Sequence, residues 1–485
     1  MKKLFTLGLS LVLASGALAG CSAQPAEGNT TSAFDKEVDV LVIGGGGAGL
    51  SAALEASDNG AEKVTVLEKL GRVGGTTFIS QGMIAGYQTE YQKANGVDEI
   101  TFDQMYDNLM KNCSYRLDQD LAKITVESSK DTINWLEERV KMPFGSVVVG
   151  YGPYQMMHVV EGYGAAMYDP YMAALEEAGV EILTETKGET LITNELGEVI
   201  GATATTADGE IKIGAKSVVI ATGGYSMNPE LTARLDPEYE CTFGIGHPAA
   251  TGDGLIMANN IGATLSHTND IMFVLKDYEI MKDHNGNSGS ATVSKYMGMP
   301  NVVMVGADGK RFMNEKSGGY MSQELNRPVF QQIHKDGTGY VWALCDVATT
   351  TAAEVKRGSD MEFMTADTIE DLAAQMGVDA ANLKASIDTY NEACDKGFDM
   401  EFGRTALAKL EAPYTAVKVV PCEIITYGGL VRNEKAEVLK ADGTAIKNLY
   451  AAGEVTSNSA YMGFTISNAV TWGRIAGASA AANLK

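Results

Sequence analysis

Residues 40–53 read VLVIGGGGAGLSAA, and residues 64–69 read VTVLEK. Val40 to Ile43 is a short apolar run that predicts a buried strand, and it feeds the loop Gly44-x-Gly46-x-x-Gly49, after which a helix is expected. The glycines permit a tight turn. With Gly47 and Ala48 they let the backbone approach a pyrophosphate, whose charge then sits at a helix N-terminus. The second run predicts the next strand, and it closes on Glu68, a carboxylate suited to accept hydrogen bonds from ribose hydroxyls. A glycine-rich turn alone is weak evidence. Set between strand and helix, with an acid at the tip of the following strand, it predicts dinucleotide binding and an α/β fold.

The stretch before this unit reads differently. In MKKLFTLGLSLVLASGALAGC, Lys2 and Lys3 form a charged start, Leu4 to Val12 an apolar core, and Leu18-Ala19-Gly20-Cys21 a small-residue cleavage site. The apolar part is too short for a stable spanning helix. Leu-Ala-Gly-Cys resembles the lipobox of bacterial lipoproteins, in which the cysteine is lipidated. Residues 1–21 are therefore expected to be a lipoprotein signal peptide, with Cys21 anchoring the protein at the extracytoplasmic face of the cell membrane. Ordinary secretion with cleavage near Ala19 is the alternative. Residues 22–35, small and polar, suit a flexible tether.

The chain has 485 residues, room for more than one lobe, and a net charge of −24. That charge makes nucleic acid an unexpected partner and would not attract anionic lipid. Beyond Cys21 the cysteines are Cys113, Cys241, Cys345, Cys394 and Cys422, and none forms CxxC or CxxCH. Covalent haem, iron–sulfur clusters and a redox pair are not expected, nor is any other metal site. Free thiols, mostly buried, are.

Along the chain, Leu121 to Arg139 and residues 164–178 carry helical patterns, and 180–183 a strand. Strands are expected around 191–204 and 210–213, and a buried strand at Ser217 to Ile220 runs into a second glycine turn. Residues 268–330 show no clean periodicity, 366–397 read as two helices, and a last helix is expected from about Ile466 to Leu484.

The motifs GGGGAGL (44–50), VLEK (66–69), GGTT (74–77), IATGG (220–224), TGDG (251–254), GKRFMNE (309–315) and LYAAGE (449–454) occur in one order. Together they resemble the FAD-dependent fumarate reductase/succinate dehydrogenase flavoprotein family, especially its soluble fumarate and urocanate reductase branch. The 3-ketosteroid Δ1-dehydrogenases share the grammar. The resemblance implies a Rossmann-like FAD-binding domain in two segments, 36–267 and 416–485, with an inserted α+β substrate-capping domain at 268–415. FAD needs small residues where backbone runs along the flavin, and Gly75, Thr76, Thr77 and Gly82 fit. The resemblance also places Lys69, Asp253, Glu454, Thr465 and Ile466 at the cofactor, beside Thr222 and Gly223 of the second glycine turn. Taken alone, Asp253 would pass as a turn residue and Lys69 as a solvated lysine.

The substrate side departs from that family. A catalytic arginine should closely follow Arg311-Phe312-Met313-Asn314-Glu315, yet Lys316 to Tyr320 contains none. No histidine falls in Met272 to Lys276, Ile424 and Ile425 stand where the family has a histidine pair, and Ser457 to Phe464 lacks the carboxylate-clamping arginine. A planar dicarboxylate wants guanidinium forks. Their joint loss implies a substrate other than fumarate. Tyrosines appear instead, at Tyr296, Tyr320, Tyr427 and Tyr461. A phenol can protonate carbon or hydrogen-bond a carbonyl, so Tyr320, Tyr427 and Tyr461 are the catalytic candidates. Packing is the plainer reading for any one of them, the chain having 20 tyrosines, and likewise for His158.

The sequence therefore implies an FAD enzyme that reduces, or reversibly dehydrogenates, an activated C=C bond conjugated to a carbonyl, with electrons from an external membrane or soluble carrier. One alternative is a fumarate- or urocanate-type reductase whose carboxylate is clamped by Arg327, Lys276 or Lys295, although each reads more simply as a surface charge. The other is a non-catalytic flavin- or solute-binding lipoprotein.

Overall fold

The computed structural model describes residues 34–284, 299–317, 323–352, 363–457 and 461–485. Cys21, Lys295, Tyr296 and Tyr320 lie outside them. Among the described residues no helix is long and apolar enough to cross a membrane.

Lys36–Ile43 is the central strand of the first sheet. It pairs in parallel with Val64–Leu67 on one side and Gly209–Ile220 on the other, and Ala445–Ala451 lies parallel beyond the latter. Glu181–Leu183 closes one edge and Glu437–Leu439 the other. Val40 and Val42 face one apolar core while Leu41 and Ile43 face another. A strand covered on both faces reads as an unbroken apolar run, as this one does. The register sets Ile43 against Leu67 and Ile220, and Ile220 against Ala451. Four strand ends thus come side by side, and the loops after them open on one edge. At Gly44, φ is +111° and a Cβ would lie 2.3 Å from the carbonyl oxygen of Ala221. Only glycine permits that turn.

The helix Gly47–Asp58 packs along Thr465–Ala482, the last helix of the chain. Gly473 approaches Ala48, and Gly477 approaches Ala52, so closely that added Cβ atoms would fall 2.3 and 2.2 Å from their carbonyl oxygens. The alanine- and glycine-rich faces bring the two backbones together without side chains between them.

The second sheet is built on Tyr414–Thr426, which pairs with Ile271–Asp277, Val341–Asp346, Met364–Ala366 and Phe243–Gly244. Val303–Val305 extends it. The expected boundary at residue 416 therefore falls inside one continuous strand. Ile271–Asp277 is buried along its whole length, which explains why residues 268–330 show no period. Other expectations differ in detail. Leu121 to Arg139 is two helices, Gln119–Glu127 and Ser129–Glu138, meeting at Ser128. Residues 210–213 and 217–220 form one strand, Gly209–Ile220. Lys276 is buried, not a surface charge, with 4% of its surface exposed. Arg327 is half-exposed and paired to Glu238 at 2.9 Å. All five described cysteines are free, with Cys113, Cys345 and Cys422 buried and Cys241 and Cys394 partly so.

Beside the second sheet lies a buried charge network. Arg311 donates from Nε and Nη2 to the Glu315 carboxylate at 2.9 and 2.8 Å, and Arg404 donates to Glu315 at 2.8 Å. Asp399 lies 2.7 Å from Nη1 of Arg311. The Arg311 guanidinium also sits over Tyr390 and Phe402. The charged residues of the RFMNE motif thus brace this region. Removing one partner of a buried network strands the others. Arg404→Met is expected to lower the unfolding free energy by about 3–5 kcal/mol, read in a denaturant melt. A melt matching wild type would show that the network contributes nothing.

Candidate functional site

The loops after the aligned strands line one cleft of about 1370 Å³, its open mouth included. Gly44, Gly46, Gly47, Ala48 and Glu68 form one wall, and Gly75, Thr76 and Thr77 continue it. Thr222, Gly223, Glu454, Thr465 and Ile466 also line it, with Thr222 close beside Gly44. Gly49 and Gly82 are not among the lining residues. Lys69 and Asp253 line a small adjoining recess. There Lys69 donates to Asp253 and Thr251, both at 2.6 Å, so neither charged residue is a solvated surface group. Tyr427 lines the cleft, and Tyr461 stacks on it with ring centroids 4.5 Å apart.

The glycine loop presents the start of the helix Gly47–Asp58, which has no side-chain cap and no acid in its first turn. Its free N–H groups and dipole favour an anion. Glu68 accepts from the backbone N–H groups of Gly45 (3.0 Å) and Leu70 (2.9 Å). Those bonds fix the carboxylate, and each oxygen keeps a lone pair for a further donor. Thr222 Oγ1 and Asn468 Oδ1 are buried on the cleft walls without hydrogen-bond partners. Orphaned polar atoms of this kind are costly and imply a polar occupant. The donor edge, the fixed acid and the orphans together fit a flavin dinucleotide. No group of His, Cys, Asp or Glu among the described residues is arranged to hold a metal.

Glu454 is held by the N–H and Oγ1 of Thr426, at 2.9 and 3.3 Å, and burial pushes its carboxyl up to about 7. His158 is a satisfied core histidine. It is wholly buried, contacts Thr89 Oγ1 at 2.8 Å, and is pushed down to about 4 by that burial.

Tyr427 and Ile425, which line the cleft, are backed by an apolar cluster. Met272, Phe464, Ile424, Ile425 and Met462 belong to one cluster with both tyrosines. The Tyr427 hydroxyl donates to Met272 Sδ at 3.3 Å. The Tyr461 hydroxyl accepts from Arg116 Nη2 at 3.1 Å. Arg116 was not foreseen, because it sits in CSYRLD, a connection between helices without a motif. Tyr151, His247 and Gln81 also line the cleft unforeseen, as each is an isolated polar residue in an irregular loop, and so does Asn468, in the first turn of the helix Thr465–Ala482.

Fold and cleft together define an FAD-dependent oxidoreductase. Known proteins agree. The FAD binding domain family matches residues 39–467, and the chain belongs to it. A probable fumarate reductase of Shewanella frigidimarina is 32% identical over 91% of this chain and 74% of its own length. A vinyl phenol reductase of Lactiplantibacillus plantarum is 28% identical, covering 87% of this chain and 90% of its own. Among solved structures, the open conformation of a flavocytochrome c3 fumarate reductase is similar with a TM-score of 0.75 and 30% identity, over 93% of this chain and 79% of that one.

The Glu454 carboxyl titrates higher in the folded protein than its ordinary value of 4.5. Its stabilising contribution is therefore complete below pH 4.5 and is lost as pH rises towards about 7. Glu423, buried against Thr232 and Thr242, behaves alike. Thermal melts of the holoprotein across this range should show each loss flattened by Glu454→Gln or Glu423→Gln. Unchanged pH slopes in both variants would refute the assignment.

Proposed function

We propose that this protein reduces an activated C=C bond conjugated to a carbonyl or an aromatic ring, and that its substrate is not fumarate. The observation that carries this reading is the stacked pair Tyr427 and Tyr461 among Met272, Ile424, Ile425 and Phe464, beside the flavin cleft. Phenols and apolar side chains accept a flat conjugated molecule, whereas a dicarboxylate needs cationic forks.

Gly44 to Ala48 would hold the diphosphate, Glu68 a ribose, and Thr222, Asn468 and Glu454 the polar edges of the cofactor. FAD bound there supplies hydride chemistry. The chain's own residues seat the acceptor, exclude water with the apolar wall, and provide a proton from Tyr320, Tyr427 or Tyr461. The electron source is an external carrier. That relatives bear the names fumarate reductase and vinyl phenol reductase supports C=C reduction, and the second name suits an acceptor without a carboxylate.

The test is anaerobic. Chemically reduced holoenzyme is mixed with cyclohex-2-enone, 4-vinylphenol, fumarate or urocanate, and flavin reoxidation is followed. Fast reoxidation by the enone or the vinylphenol is expected. Reoxidation by fumarate alone would overturn the reading in favour of a carboxylate substrate.

We further propose that Cys21 is lipidated and tethers the enzyme at the outer face of the cytoplasmic membrane. Expressed in a bacterial host with labelled palmitate, the wild type should carry label and sediment with membranes. Cys21→Ser should lose both properties, and a variant that keeps both would refute the anchor.

A further inference from the structure

Arg116 lies 345 residues before Tyr461, and its guanidinium is fixed at several points. Nε donates to the carbonyl of Cys113 at 3.0 Å. Cys113 is the C-cap of the helix Phe102–Asn112, an end where the helix dipole favours a cation. Nη1 lies 3.1 Å from Asp270 Oδ1, and Nη2 lies 3.1 Å from the Tyr461 oxygen. Guanidinium groups only donate. The phenol oxygen is therefore the acceptor, and its own hydrogen must point elsewhere. Among the described residues nothing accepts it.

Asp270 joins the two tyrosines. Its carboxylate holds Arg116 behind Tyr461, while its carbonyl accepts the N–H of Tyr427 at 2.8 Å. Tyr427 itself spends its hydroxyl on a methionine sulfur, a weak acceptor, with no cation behind it among the described residues. Tyr461 stands against the ring of this cleft-lining residue, and Gly463 and Thr465 just after it line the cleft.

We propose that Tyr461 delivers the proton that completes the reduction, and that Arg116 is the positioning residue that aims its hydroxyl and stabilises the phenolate left behind. The inference rests on the reductase reading above and chooses among its phenols. Saturating C=C takes two electrons and two hydrogens. Hydride carries both electrons and one hydrogen. The other arrives as a proton: the Tyr461 O–H bond breaks, a C–H bond forms on the acceptor, and the phenolate recovers a proton from solvent. A donor backed by guanidinium suits an acceptor that becomes anionic as hydride adds, as an enone does.

Among the described residues, the groups facing Tyr461 are Arg116, Asp270, Tyr427 and Glu324, the last in the helix Gln323–Asp336. Burial raises the phenol above its ordinary value, Arg116 lowers it, and Asp270 and Glu324 raise it. Loss of Arg116 should therefore weaken the acid. A proton donor works below its own pKa, so the alkaline limb of activity should move to higher pH.

With reduced holoenzyme and the two probe acceptors, cyclohex-2-enone and 4-vinylphenol, Tyr461→Phe is expected to cut kcat by about 10²- to 10⁴-fold. Arg116→Gln should cut it about 10- to 100-fold with KM little changed, and Arg116→Lys should restore part of the loss. The double variant should be no slower than Tyr461→Phe alone. An independent readout is the 13Cζ tyrosine NMR signal of Tyr461 in oxidised holoenzyme, assigned by its disappearance in Tyr461→Phe. It should titrate at higher pH in Arg116→Gln. An unmoved titration, an Arg116→Gln loss equally large without the Tyr461 hydroxyl, or full activity in Tyr461→Phe with collapse in Tyr320→Phe would each overturn the proposal. No turnover of any acceptor by wild type would instead remove the reductase reading and the proton-donor role with it, while the NMR shift would still decide whether Arg116 governs Tyr461.

Discussion

The helices Gly47–Asp58 and Thr465–Ala482 meet backbone to backbone, with Gly473 on Ala48 and Gly477 on Ala52. Everything at the cleft depends on this contact. It sets the glycine loop, encoded near residue 44, against the wall around Thr465 and Asn468, encoded some four hundred residues later. The parallel register does the same for strand ends: Ile43, Leu67, Ile220 and Ala451 lie abreast, so the loops after them share one edge. A ligand spanning those loops is held by four distant parts of the sequence at once. A larger residue at Gly473 would push the two halves of the cofactor site apart before it touched any ligand.

What could be read beforehand is what is local. The strand, glycine turn and helix at 40–58, the acid at 68 and the second glycine turn at 222 each carry their signal within a few residues, and they line the cleft or its recess as the α/β reading requires. What escaped reading is set by tertiary contact. Arg116 gains meaning only through Asp270 and Tyr461, far along the chain. Lys276 reads as a surface charge because lysine normally is one, yet its strand is covered on both faces. The same double burial erases the alternation that would have revealed that strand.

The RFMNE segment shows how a motif can carry two burdens. Its place in the ordered series of motifs marks the family. In the molecule Arg311 and Glu315 are fully committed to Arg404, Asp399 and the Met304 amide. Such residues cannot turn to meet a substrate without leaving buried charges unpaired. A second buried guanidinium, Arg432, lies over the indole of Trp472 at 3.3 Å, and burial lowers its pKa to about 9. Arg311, Arg404 and Arg432 are thus embedded in protein, whereas Arg116 reaches a phenol that stacks on cleft-lining Tyr427.

The strand Tyr414–Thr426 is the axis of the second sheet, and its last residue holds Glu454 in the flavin cleft. One strand and its hydrogen bond therefore tie the second sheet to a carboxyl of the cleft. A chimera that borrowed the second sheet from a relative would have to carry 414–427 with it as a unit. A seam cut at residue 416 would fall inside that strand and split its pairing with Val341–Asp346 between native and borrowed sequence.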